Sequence, residues 1–126
     1  MNLPDNLLYT HDHEWLKVEN EFAFVGITDF AQHELGDIVY VEIETVGENL
    51  NQNEVFGTVE AVKTVSDLFL PIAGEILEFN EKLDSNPELV NTDPYGEGWM
   101  IKIRIKEKED IKGLLTAKDY KDIIVS

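Results

Sequence analysis

Residues 56–76 read FGTVEAVKTVSDLFLPIAGEI. Two runs rich in β-branched and apolar residues meet at Val62-Lys63-Thr64-Val65, so the stretch reads as two strands with a tight connection. The common two-residue hairpin turns need φ > 0 and therefore Gly, Asn or Asp. None is present, and Val62, Thr64 and Val65 resist that conformation. A type I turn centred on Lys63 and Thr64 tolerates these side chains. Lys63 is thereby expected at the exposed apex of a stiff hairpin. It is also alone in charge: no other Lys or Arg lies between Lys17 and Lys82.

Short apolar runs separated by turn signals continue on both sides of this hairpin, an all-β rhythm. EWLKV (14–18) and FAFVGI (22–27) form a strand pair joined by polar residues, and TDFAQHELG (28–36) reads as a helix. Thr28 or Asp29 is its N-cap and Gly36 its end. DIVYVEI (37–43) is a strand with Val39, Val41 and Ile43 towards the core and Ile38, Tyr40 and Glu42 outward. EILEF (75–79) and WMIKIRI (99–105) are strands, the latter with a basic outer face that reads as a solvated strand edge or else a partner contact. NPELVNTDPYGEG (86–98) is a loop by its Pro, Gly and Asn content, relaxing before Trp99 enters the core. TAKDYKDIIVS (116–126) has helical spacing and a Thr cap. An echo between GDIV (36–39) and GEIL (74–77) hints at two similar halves in one small sandwich. With 126 residues and no linker, the chain reads as one domain, 1–126.

Composition narrows the function. Hydrophobic content of 43% suits a globular fold rather than disorder. The net charge is −16, with −18 in residues 1–99 and +2 in 100–126. Such a surface repels phosphate backbones and anionic lipid, so neither nucleic acid nor membrane is an expected partner. Proteins with basic rims are. The absence of cysteine removes disulfides, thiol nucleophiles and Cys-ligated zinc, and suits a cytoplasmic setting. MNLPDNLLYT (1–10) lacks the basic and apolar regions of a signal peptide.

Three roles compete for Lys63. A solvated surface lysine is the common case. A Schiff-base amine needs burial or neighbouring cations, and the nearest charges, Glu60 and Asp67, are acids. A modification site, presented on a rigid tip to an acylating enzyme, accounts for the apex, the apolar neighbours and the isolation together. Elsewhere, His11 and His13 alternate but have no third metal ligand nearby, so no metal is expected. No nucleophile–base triad is evident, so no catalytic residue is expected.

The motifs resemble one family. HEW (13–15), GITDFAQHELGDIVYVE (26–42), GTVEAVKTVSDLFLPIAGEI (57–76), LVNTDPYGEGWMIKI (89–103) and LLTAKDYKDII (114–124) stand in order across nearly the whole chain. Together they resemble the H proteins of the glycine cleavage system. The resemblance implies a mainly β barrel-sandwich hybrid of two quasi-symmetric antiparallel sheets, with short helices and a C-terminal helix. It implies a non-catalytic carrier with lipoate covalently bound to Lys63, with Glu60 before it and Gly74 after it as in the lipoyl-attachment pattern. The implied partners are the pyridoxal-phosphate glycine decarboxylase, the folate-dependent aminomethyltransferase, dihydrolipoyl dehydrogenase, and a lipoate ligase or lipoyltransferase. The carrier would take an aminomethyl group from the first to the second and be reoxidised by the third. It also implies that the loaded arm folds back on the carrier body. An amine leaving water needs an anion, and Glu14 and Asp67 are the candidates; Asp12 and Glu34 are weaker matches and are left out. Biotin carriers, with methionines beside the lysine, and 2-oxoacid dehydrogenase lipoyl domains, with an aspartate before it, match less well, since Val62 and Thr64 flank Lys63.

Overall fold

The computed structural model describes residues 1–125. Nine strands form two antiparallel sheets. The larger has six strands: β1 (Leu8–Tyr9), β2 (Glu14–Glu19), β3 (Phe22–Ile27), β5 (Asn49–Leu50), β8 (Gly74–Phe79) and β9 (Ile101–Ile105), in the order β1-β2-β3-β9-β8-β5. The smaller has β4 (Ile38–Glu42), β6 (Val55–Ala61) and β7 (Val65–Phe69), in the order β4-β6-β7. The sheets stay separate and no closed barrel forms. Helices are short: α1 (Asp29–Leu35), α2 (Lys82–Ser85), α3 (Leu89–Thr92) and the C-terminal α4 (Ala117–Val125). A 3₁₀ turn spans Lys108–Gly113. Ser126, the last residue of the expected C-terminal helix, lies outside the described residues.

The main core lies between the sheets. Leu16, Val25, Ile76, Ile101 and Ile103 meet Val41, Phe56, Val59 and Leu68, all nearly water-free. Alternation along each strand produces this, since residues two apart share a face. A second cluster, Leu7, Tyr9, Trp15, Ala117 and Tyr120, docks α4 on the back of the large sheet. There Tyr9 and Tyr120 stack at 4.9 Å, and the Trp15 indole N–H donates to the Pro94 carbonyl at 3.0 Å. The aromatic rings supply area, and the polar tip is satisfied.

Several expectations need correction. Ile38 is buried and Val39 is exposed, the reverse of the alternation expected for 37–43. A register shift between Ile38 and Tyr40 turns the chain over at that point. The segment 86–98 is not wholly loop, because Leu89–Thr92 closes one helical turn and buries Val90. Met100 enters the core there, whereas Trp99 is half-buried and packs edge-on against Phe24 at 5.2 Å. The basic face of 102–104 is not on an edge: β9 is central, between β3 and β8. Arg104 pairs with Glu21 and Glu75, and Lys102 with Glu78, while both cations cover the Phe22 ring.

α1 follows its sequence signals. Thr28 caps it, accepting the Ala31 N–H at 3.1 Å, and Gly36 ends it at φ 84°, a conformation that favours glycine. Both members of the GDIV/GEIL echo open a strand, one in each sheet.

Candidate functional site

Lys63 stands at the tip of the β6–β7 hairpin. Glu60 faces Val65 and Val59 faces Ser66. The Ala61 N–H then donates to the Thr64 carbonyl at 2.8 Å. That register leaves Val62 and Lys63 as the two loop residues, one position earlier than expected. Neither adopts positive φ, as the Val side chain requires. Val62 is 76% exposed, and Lys63 is exposed beside it. The tip is not free-hanging, because the Val62 N–H donates to the Asp37 carbonyl at 3.1 Å. Across that junction the Lys63 Cε lies 3.7 Å from the position a Cβ on Gly36 would take.

A cavity of about 150 Å³ opens beside the hairpin, at the seam of the two sheets. The small sheet contributes Val59 and Leu68, β3 contributes Ile27, and α1 contributes Ala31 and Leu35. Glu14 from β2 also lines the cavity and is buried, 2% exposed. Asp12, His13, Glu34, Ser66 and Asp67 complete the lining.

Glu14 is inside because β2 alternates. It shares the core face with Leu16, and its backbone faces Ile27. Its carboxyl oxygens accept from the Thr10 hydroxyl at 2.8 Å and from the Phe69 N–H at 3.2 Å. Those donors favour the carboxylate, but burial outweighs them and pushes the acid up to about 8. Asp67 differs. It is exposed and shares a strand face with exposed Val65, while Ser66 and buried Leu68 take the other face. Both acids therefore border the cavity, but only Glu14 is desolvated. Asp12 and Glu34, left out on sequence grounds, border it too.

His13 precedes Glu14 with φ 69°, an uncommon conformation for a side-chain-bearing residue. Its surroundings hold it there. Its N–H closes a turn onto the Thr10 carbonyl, its ring lies 4.9 Å from Phe30, and its Nδ1 is 2.8 Å from the Tyr120 hydroxyl. Burial lowers its pKa, favouring the neutral ring. The Tyr120 hydroxyl also meets the Thr28 hydroxyl at 2.7 Å. One phenol thus ties α4, the cap of α1 and the cavity wall. Sequence reading did not single out Tyr120 or the apolar lining residues, because their residue types signal only core.

Comparisons with known proteins cover nearly the whole chain. A family model described as "Glycine cleavage H-protein" matches residues 7–126. The chain belongs to the glycine cleavage H-protein family. A glycine cleavage system H protein of Bacteroides thetaiotaomicron is 60% identical over 124 residues, spanning 98% of both chains. One of Salinibacter ruber is 55% identical, covering 98% of this chain and 99% of its own. The crystal structure of a glycine cleavage system H protein from Mycobacterium marinum superposes with a TM-score of 0.89 at 37% identity, covering 98% of this chain and 99% of that one. In this member of the H-protein family, the cavity-lining Val59 is four positions from Lys63, or roughly 13 Å of strand.

Proposed function

We propose that the chain is one lipoyl-carrier domain, non-catalytic and cytoplasmic, with lipoate joined through an amide to the Lys63 amine. The observation that carries this reading is the lysine itself, exposed on a two-residue turn whose backbone is pinned at Val62. An acylating enzyme meets it in one geometry, and that saves ordering entropy at the encounter.

The cavity suits the far end of such an arm. A void of about 150 Å³ with apolar walls admits a ring of benzene size, and the lipoyl ring is comparable. When bound, lipoate supplies a disulfide ring that can accept a reduced one-carbon amine and be reoxidised afterwards. The chain's own residues do the rest. Lys63 roots the arm. Ile27, Ala31, Leu35, Val59 and Leu68 keep water from its end. Glu14 supplies a buried acid able to pair with an amine, and a cation there would draw it towards the carboxylate. Asp67, Asp12 and Glu34 attract the same amine to the mouth.

The proposed partners are the glycine decarboxylase that loads the arm, the aminomethyltransferase that unloads it, dihydrolipoyl dehydrogenase that reoxidises it, and the ligase or lipoyltransferase that attaches it. The acidic surface favours basic rims on all of them. Intact mass after expression with and without lipoate, followed by peptide mapping, tests the attachment. A lipoyl increment on Lys63 alone is expected, with none in Lys63→Arg and an unchanged thermal midpoint, since the site is exposed. Lipoylation persisting in Lys63→Arg refutes the assignment.

A further inference from the structure

The tip carrying Lys63 is held from outside its own hairpin. The β6–β7 ladder ends with the Ala61–Thr64 bond. Beyond it, the Val62 N–H relies on the Asp37 carbonyl at 3.1 Å. Asp37 belongs to a two-residue link, 36–37, between the end of α1 and the start of β4 at Ile38. Gly36 and Asp37 precede the β4–β6 ladder, which begins with the Ile38–Ala61 pair, and Gly36 turns the chain at φ 84°, a conformation that favours glycine.

One side chain fixes it on both sides. Asn91 Oδ1 accepts the Ile38 N–H at 2.9 Å, and Asn91 Nδ2 donates to the Gly36 carbonyl at 2.9 Å. The same Nδ2 donates to Gln32 Oε1 in α1 at 3.0 Å. One partner is an N–H and the other a carbonyl, so the amide's orientation is set by its partners. Asn91 comes from α3, the helical turn that the sequence disguised as loop, and buried Val90 anchors that turn in the core. The path is continuous: core, α3, Asn91, Gly36 and Ile38, the Asp37 carbonyl, the Val62 N–H, Lys63.

We infer that Asn91 is a positioning residue for Lys63, holding the chain on both sides of Asp37 so that the Asp37 carbonyl fixes the hairpin tip in the geometry an acylating enzyme reads. This deepens the carrier reading and rests on it. A purely structural asparagine would cost stability when removed. A positioning one must also loosen the tip and slow the chemistry there.

The test uses the whole apo chain, lipoate and a purified lipoate-attaching ligase. Asn91→Ala is compared with wild type and with Ile103→Val or Ile103→Ala, whichever matches its loss in thermal midpoint; Ile103 lies in the core on β9, in the other sheet from the hairpin and outside both its tip and the 36–37 link. In Asn91→Ala the rate constant for lipoate transfer to Lys63 is expected to fall about tenfold with KM little changed, because misplacement of a reacting group lowers kcat. Exchange of the Val62 amide with solvent is expected to quicken about tenfold, as for a locally opened bond. The matched Ile103 variant should change neither. Asn91→Ser, too short to span both groups, gives the same readings should Asn91→Ala fold poorly. Equal transfer kinetics and equal Val62 exchange in the Asn91 and Ile103 variants overturn the inference. Should the wild type take no lipoate at Lys63, the carrier reading itself fails, and the modification role of Asn91 fails with it; Val62 exchange, which needs no lipoate, separates that outcome from failure of the clamp.

Discussion

Glu14→Gln gives a direct measure of how strongly the cavity disfavours charge. Burial moves this acid from its ordinary 4.5 to about 8. At 1.36 kcal/mol per pH unit, ionising it in the folded state costs up to roughly 5 kcal/mol more than in the unfolded chain. Relaxation and water at the mouth reduce that ceiling to about 3 kcal/mol in practice. The sign follows from the raised pKa. The stability from protonated Glu14 is fully present below about 4.5 and is lost as pH climbs through about 8. Glutamine keeps the shape and cannot titrate. It presents one acceptor where Glu14 offered two, facing the Thr10 hydroxyl and the Phe69 N–H. A fixed cost of about 1 kcal/mol is therefore expected at every pH. Thermal melts from pH 5 to 9 should show the wild type falling relative to the variant by roughly 10 °C, at about 2–4 °C per kcal/mol. Other titrating groups, including the three histidines and the net charge of −16, are common to both proteins and cancel in the difference. Parallel curves, or a wild type that gains on the variant with rising pH, refute the claim that desolvation dominates at Glu14.

Two further outcomes follow from the same structure. Inserting two glycines beside Lys63 should slow ligase-catalysed lipoylation severalfold and leave the melting temperature nearly unchanged, because closure entropy grows slowly with loop length; unaltered kinetics in a stopped assay would argue against geometric recognition. Tyr120→Phe removes the hydroxyl shared by His13 and Thr28, so calorimetry should show a loss of about 1–3 kcal/mol and amide shifts should move at His13. A melt identical to wild type would show that this shared hydroxyl contributes nothing.

The hairpin was legible because β-branched residues crowd both arms of 55–69 and exclude positive φ between them. Its centre was misplaced by one residue because pairing of Glu60 with Val65, a property of the whole ladder, sets the loop. α1 was legible to both ends, since Thr28 and Gly36 are local signals. Ile38 and Val39 were misassigned because a bulge is invisible to a strict period of two. α3 hid among turn-forming residues, where tertiary contacts outweigh propensity: the buried Val90 and the Asn91 bonds hold one turn that would not persist alone. At the site, Lys63 and Glu14 could be picked by motif, but the difference between Glu14 and Asp67 could not. It depends on which face of β2 and β7 meets the seam, and strand register decides that.

Charge placement ties the fold to its partners. Two of the bases gathered in residues 100–126 are neutralised on the sheet itself. Lys102 and Arg104 are occupied by Glu78, Glu21 and Glu75 and by the Phe22 ring on the large sheet. Around Lys63 the opposite holds: Asp37, Glu60 and Asp67 lie near the tip, and the exposed apolar side chains there are Val39, Tyr40, Val62 and Val65. Tyr40, Glu60 and Val65 lie in one cross-strand row, so acid and apolar surface alternate beside the lysine. A partner that seats on this row must offer cations at its rim and an apolar centre. Raised salt would slow the encounter more than it weakens the seated complex, because rim charges act mainly on association. The buried Glu14 is sheltered from that screening. Under the proposed carrier role, recognition at the tip and retention in the cavity would therefore respond to different variables, the first to ionic strength and the second to pH.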